Sequence, residues 1–115
     1  MASQSVISTH VLDTRIGKPG RDVEIRLFRL GEVGAMLEST SRTDEAGRVS
    51  NLLTGELTAG HYRIEFLLSD YAKAQGLEAS FFTSLATEIE VRDTGRNYHV
   101  PLILSPYSCM TYLGS

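Results

Sequence analysis

His61-Tyr62-Arg63-Ile64-Glu65-Phe66 alternates strictly between two kinds of side chain. Successive residues of an extended chain point to opposite faces, so Tyr62, Ile64 and Phe66 fall on one side and His61, Arg63 and Glu65 on the other. That is the pattern of a strand with one face against a core and one in water. The same period recurs to either side. Val23, Ile25 and Leu27 make one stripe, opposed by Glu24 and Arg26. In Glu88-Ile89-Glu90-Val91-Arg92 the inward pair is Ile89 and Val91. Tyr98, Val100, Leu102 and Leu104 make another stripe, opposed by His99, Pro101, Ile103 and Ser105.

Turn residues separate these runs. Gly17-Lys18-Pro19-Gly20 breaks the chain after the first strand, and Asp44-Glu45-Ala46-Gly47 breaks it before Arg48. Asp93-Thr94-Gly95-Arg96-Asn97 reads as a hairpin connection, and Ser105-Pro106 marks a break near the end. One segment reads as a helix: Ser69 or Asp70 as cap, about two turns over Tyr71–Gln75, and Gly76 in the left-handed position past the end. Seven or eight short strands with one short helix after the fifth predict an all-β antiparallel sandwich.

The chain has 115 residues, enough for one domain spanning 1–115. Its net charge of −3 and lack of any Lys/Arg cluster argue against a nucleic-acid partner, which requires a basic footprint. Cys109 is the only cysteine, so neither an intrachain disulfide nor a cysteine-rich zinc site is available. No long apolar stretch and no basic leader stand at the N-terminus, so neither a membrane span nor secretion is expected, and the cytoplasm is the expected location. Neither HExxH spacing nor a Cys/His pair set occurs, and no metal or cofactor is expected.

Three polar residues carry candidate chemistry. His10 interrupts an apolar run, Ile7-Ser8-Thr9-His10-Val11-Leu12-Asp13, and shares a face with Ser8 and Leu12. His99 lies opposite Tyr98 and Val100. Arg48 follows a turn and opens a strand. Each alone reads as an ordinary surface residue. Together, two imidazoles that titrate near neutrality and one permanent cation with a fork of donors suit proton transfer on an anionic or carbonyl-rich planar substrate. A Ser8–His99–Asp13 triad can be drawn on paper, but no nucleophile-elbow sequence supports it. His61, beside Arg63 and Glu65, reads as surface.

Ile7-Ser8-Thr9-His10-Val11-Leu12-Asp13-Thr14 with Gly17-Lys18-Pro19 resembles the N-terminal signature of the 5-hydroxyisourate hydrolase family, the transthyretin-related proteins. Tyr98-His99-Val100-Pro101-Leu102-Ile103-Leu104-Ser105-Pro106-Tyr107-Ser108, then Thr111-Tyr112, resembles its C-terminal signature. Asp44-Glu45-Ala46-Gly47-Arg48 is similar to its central Gly-Arg turn, and Tyr71 to Phe82 to its helix and phenylalanine-rich stretch. The resemblance runs in order over essentially the whole chain. It implies a transthyretin-like sandwich of two four-stranded sheets with one short helix, assembled as a homotetramer, a dimer of dimers. Active sites are implied at the dimer–dimer interface, in the channel where transthyretin binds thyroid hormone.

The implied reaction is hydrolytic ring opening of a small molecule, 5-hydroxyisourate, to 2-oxo-4-hydroxy-4-carboxy-5-ureidoimidazoline. His10, Arg48 and His99 are its implied catalytic group. His10, Arg48, Tyr112 and Ser115 are the implied substrate contacts. Where the family's terminal motif is usually Tyr-Arg-Gly-Ser, this chain has Tyr112-Leu113-Gly114-Ser115. That difference keeps two alternatives open: a related hydrolase for another cyclic amide, and a non-catalytic ligand-binding protein of the transthyretin kind.

Overall fold

The computed structural model describes residues 4–76 and 81–114. Two sheets stack face to face. One contains β3 (Glu24–Gly31), β4 (Gly34–Arg42), β6 (Gly60–Leu67) and β7 (Ser84–Val91), in the order β4-β3-β6-β7 with every pairing antiparallel. The other is built around β1 (Ile7–Asp13). There β8 (Tyr98–His99) and β9 (Leu102–Leu104) run parallel to β1, while β2 (Lys18–Pro19) and β5 (Arg48–Val49) run antiparallel to it. A last strand, β10 (Cys109–Thr111), pairs with β9. Counting these short pairings, the β1 sheet has six strands.

The alternating stripes meet between the sheets. Ile7, Val11, Tyr98, Val100, Leu102 and Leu104 from one sheet are buried against Ile25, Leu27, Tyr62, Ile64, Phe66 and Val91 from the other. Each such side chain contributes roughly 1.5–3 kcal/mol by leaving water. Register is therefore tightly set, because a slip of one residue would turn a whole stripe outward. Thr9 is also buried, and its hydroxyl donates to the Val100 carbonyl at 2.6 Å. That bond stitches β1 to the chain between β8 and β9. Pro101 splits what reads as one strand into two: it has no N–H for the ladder, and its carbonyl instead accepts from the Thr111 hydroxyl at 2.8 Å.

Three local expectations change. Asp93–Asn97 is not a hairpin: β7 pairs with β6, whereas β8 pairs with β1 in the opposite sheet. The connection is a crossover, held by Tyr98, whose hydroxyl accepts from Asp93 N at 3.1 Å and donates to Asp93 O at 2.9 Å. Burying both Val91 and Tyr98 between the sheets requires the chain to cross from one to the other. The first turn falls at Thr14–Gly17, with Gly17 at φ 64°, so Lys18 and Pro19 fold back onto Asp13 and Leu12.

The third change concerns the cap of helix α1 (Ser69–Ala74), which follows β6, the sixth strand rather than the fifth. Leu68 holds the cap position with no side-chain cap hydrogen bond, and its own N–H donates to the Thr83 carbonyl at 2.9 Å. Gly76 does take the left-handed position, at φ 74°. Of the segment read from Tyr71 to Phe82, residues 77–80 lie outside the described residues; its two phenylalanines, Phe81 and Phe82, meet edge to face with ring centroids 4.9 Å apart.

Candidate active site

The outer face of β1 carries Ser8, His10 and Leu12, while Ile7, Thr9, Val11 and Asp13 face inward. Two neighbouring strands bring polar residues to this face. β8 lies parallel to β1 with Ser8 beside His99, its register held by Tyr98 N to Val6 O (2.9 Å) and Val100 N to Ser8 O (2.8 Å). The Ser8 hydroxyl lies 2.9 Å from His99 Nδ1. On β5, Arg48 is opposite His10 and Val49 is opposite the buried Thr9. Cross-strand partners share a face, so the pairing that turns Val49 toward the core turns Arg48 toward His10. Residues from three distant parts of the chain thus converge on one surface.

Arg48 is placed by the turn before it. The Asp44 carboxylate accepts from Ala46 N and Arg48 N, both at 2.9 Å. Asp44 N donates to Arg48 O at 3.0 Å, and Gly47 N donates to Asp44 O at 2.9 Å. Gly47 has φ 76°, and its carbonyl accepts from Val11 N at 2.7 Å, locking the turn onto β1. Thr43, buried just before the turn, donates to Gly20 O at 2.7 Å and accepts from Val23 N at 2.9 Å. Among the described residues, no carboxylate pairs with the Arg48 side chain. Its donors are available to a ligand.

Burial pushes the His99 imidazole below its ordinary range, and the neighbouring His10 and Arg48 add to the effect. His99 is therefore neutral at pH 7 and available as a base. The folded chain holds this proton less tightly than the unfolded chain, so acidification below about 6.5 favours unfolding through His99. This loss of stability is recovered as pH rises back through the same window. Replacing Arg48 with alanine should raise the His99 pKa in an NMR titration. Burial and His10 should still hold it below about 6.5. An unchanged titration would separate Arg48 electrostatically from His99.

The paper triad divides at Asp13. Ser8 does meet His99, but Asp13 is on the buried face, where its carboxylate accepts from the Tyr71 hydroxyl at 2.7 Å and from Arg15 N at 3.0 Å. Period two already separates them, since an odd number of steps divides Ser8 from Asp13. Burial and this contact hold the Tyr71 phenol well above its usual range, so the pair braces α1 against the end of β1. His61 is exposed on β6 in the other sheet, as expected for a surface residue. Among the described residues no three of His, Cys, Asp and Glu gather as metal ligands, and no helix is long and apolar enough to cross a membrane.

Residues 7–114 match the HIUase/Transthyretin family. The chain belongs to it. A 5-hydroxyisourate hydrolase of Ralstonia nicotianae is 41% identical over 95% of this chain and 97% of its own length. The crystal structure of an (S)-allantoin synthase superposes with TM-score 0.88 and 31% identity, covering 98% of this chain and 44% of that longer one. The structure of Klebsiella pneumoniae 5-hydroxyisourate hydrolase superposes with TM-score 0.84 and 28% identity, covering 97% of this chain and all of that one. The transthyretin-like, all-β architecture expected from the terminal motifs is the one observed.

The family's terminal motif divides between two surfaces in this chain. Gly114 bridges to His99, its N–H donating to the His99 carbonyl at 2.7 Å. Tyr112 and Leu113 instead line a cleft of about 220 Å³ with Thr87, Ile89, Tyr98 and Val100, at the open edge between the sheets. Tyr98 and Val100 belong to the buried stripe, so this cleft opens on the side away from the His99 face. Ser115 lies outside the described residues. By sequence, Ser8 joins His99 only in the unsupported triad, and its contact with the ring follows from the pairing of β1 with β8; Gly114 escapes a reading of single positions and is legible only from its contact with the ring.

Proposed function

We propose that this protein hydrolyses 5-hydroxyisourate to 2-oxo-4-hydroxy-4-carboxy-5-ureidoimidazoline, using His10, Arg48 and His99. The observation that carries this reading is the convergence of the three side chains on one sheet face through two independent strand pairings, β1 with β8 and β1 with β5. The hydrolase relative aligned over nearly the full chain supports the substrate. In this mechanism one imidazole takes a proton from water as it attacks the ring carbonyl. The neutral His99 suits that role. Arg48 orients the planar substrate and stabilises the negative charge that develops on the carbonyl oxygen. The other imidazole protonates the leaving ring nitrogen. Of the two terminal contacts expected, Ser115 is retained in this reading, whereas Tyr112 lines the edge cleft and is not assigned to the His99 face.

The site works at an interface between copies of the chain in a homotetramer. Leu12, Ile103 and Met110 stand in one cross-strand row on the same outer face, with Leu12 and Met110 exposed. An apolar row beside a polar catalytic row suits a surface that a second copy covers, excluding water from the reaction. A reducing cytoplasm fits the single free thiol of Cys109.

The test is ultraviolet absorbance during urate oxidation, with 5-hydroxyisourate generated in situ and its decay followed with and without the protein. Decay well above the spontaneous rate is expected; a folded protein that leaves the decay unchanged would refute the reading. Leu113→Arg should change turnover by less than about threefold, because residue 113 faces the edge cleft and not His99. A large gain in kcat would show that the missing arginine limits the enzyme.

A further inference from the structure

His99 is held on two edges of its ring. On one, the Ser8 hydroxyl lies 2.9 Å from Nδ1. On the other, Gly114 lies so close that a Cβ there would come within 2.7 Å of His99 Cδ2 and 3.4 Å of Cγ. Gly114 is itself fixed by its N–H, which donates to the His99 carbonyl at 2.7 Å. With Nδ1 taken and the Cδ2 edge covered, Nε2 is the ring nitrogen left for chemistry. The charges that reach this ring, His10 and Arg48, are both potential cations. Arg48 stands opposite His10 on this face, and a guanidinium has only donors to offer, so on that face a lone pair on Nε2 is favoured over an N–H. In a neutral imidazole the proton must then sit on Nδ1, where Ser8 can accept it.

We propose that Ser8 and Gly114 are positioning residues that clamp His99, keeping its proton on Nδ1 and presenting Nε2 as the base. Neither touches substrate; both act through the ring. The inference deepens the hydrolase reading and rests on it for its consequence in catalysis. The clamp itself does not depend on which substrate is turned over.

The tautomer is read directly by ¹⁵N NMR of the imidazoles, with His99 assigned by its loss in His99→Asn. A free imidazole prefers the proton on Nε2, so a clamped His99 stands out by carrying it on Nδ1. Wild type should show the Nδ1–H form near neutral pH. Ser8→Ala should swing it toward Nε2–H and lower kcat by roughly tenfold or more, with KM little changed. Ser8→Thr keeps the hydroxyl and should restore both. Gly114→Ala should displace the ring and lower kcat while leaving the fold's thermal transition in place. An Nε2–H form in the wild type, or a tautomer unmoved by Ser8→Ala, would overturn the proposal. If the tautomer pattern holds but 5-hydroxyisourate is not consumed, the clamp stands and the hydrolase reading fails. If wild type is active without that pattern, the clamp fails and the hydrolase reading stands.

Discussion

Replacing His99 or His10 with asparagine should lower kcat for 5-hydroxyisourate by roughly a hundred- to ten-thousand-fold, the range lost when a general acid or base is removed. That corresponds to about 3–5 kcal/mol of transition-state stabilisation. Asparagine keeps a polar side chain on the outer face, so the core between the sheets is untouched. The expected loss is in kcat more than KM, because proton transfer occurs only in the transition state. His61→Gln is the matched control. His61 pairs with Glu90 and Leu30 on the other sheet, and its replacement should leave turnover unchanged. A near-normal rate in either site variant removes that histidine from the mechanism. If His10→Asn and His99→Asn both retain activity while Arg48→Ala loses it, the arginine alone would carry catalysis and the acid–base scheme would be wrong.

Gly47→Ala should destabilise the protein by about 3 kcal/mol or more and reduce activity in the fraction that folds. Gly47 has φ 76°, a conformation that costs an L-residue about 1–2 kcal/mol. Its Cβ would also come within 2.5 Å of the Val11 carbonyl oxygen and 2.9 Å of the Pro19 ring. Neither can yield cheaply. That oxygen accepts from Gly20 N at 2.9 Å, and Pro19 is paired with Leu12. Relief requires moving the Asp44–Arg48 turn off β1, which takes Arg48 away from His10. Urea unfolding should show a lower midpoint at unchanged slope. Gly55→Ala, whose Cβ meets nothing within 4 Å, is the control and should unfold near wild type. Equal midpoints for the two variants would show that the turn relaxes without cost.

Which residues face the core was legible from alternation alone. The inward residues at 23, 25 and 27, at 62, 64 and 66, and at 98, 100, 102 and 104 are all buried, and His10 and His99 are on the opposite faces of their strands. A strand's period is a property of its own backbone, so its sides follow from local sequence. The helix and its terminal glycine were legible for the same reason. The start of the helix was not: its cap falls at Leu68, whose N–H is tied to the Thr83 carbonyl of a distant segment at 2.9 Å.

Partnership between strands lies beyond local sequence. The residues from Asp93 to Asn97 have turn chemistry that serves a hairpin or a crossover equally well. What made it a crossover was the requirement that Val91 and Tyr98 bury on opposing sheets. The candidate site depends on the same kind of decision. By itself, the sequence determined that His10, Arg48 and His99 stand on polar faces or at a turn, and its terminal motifs pointed to their family. Only the tertiary structure decided that they meet, because the parallel pairing of β1 with β8 and the antiparallel pairing with β5 are selected by long-range burial of Ile7, Thr9, Val49 and Tyr98. Ser8 and Gly114 gained a connection with His99 in the same way: a contact across some ninety residues of chain, or between an edge segment and a ring, exists only when the core beneath it has closed.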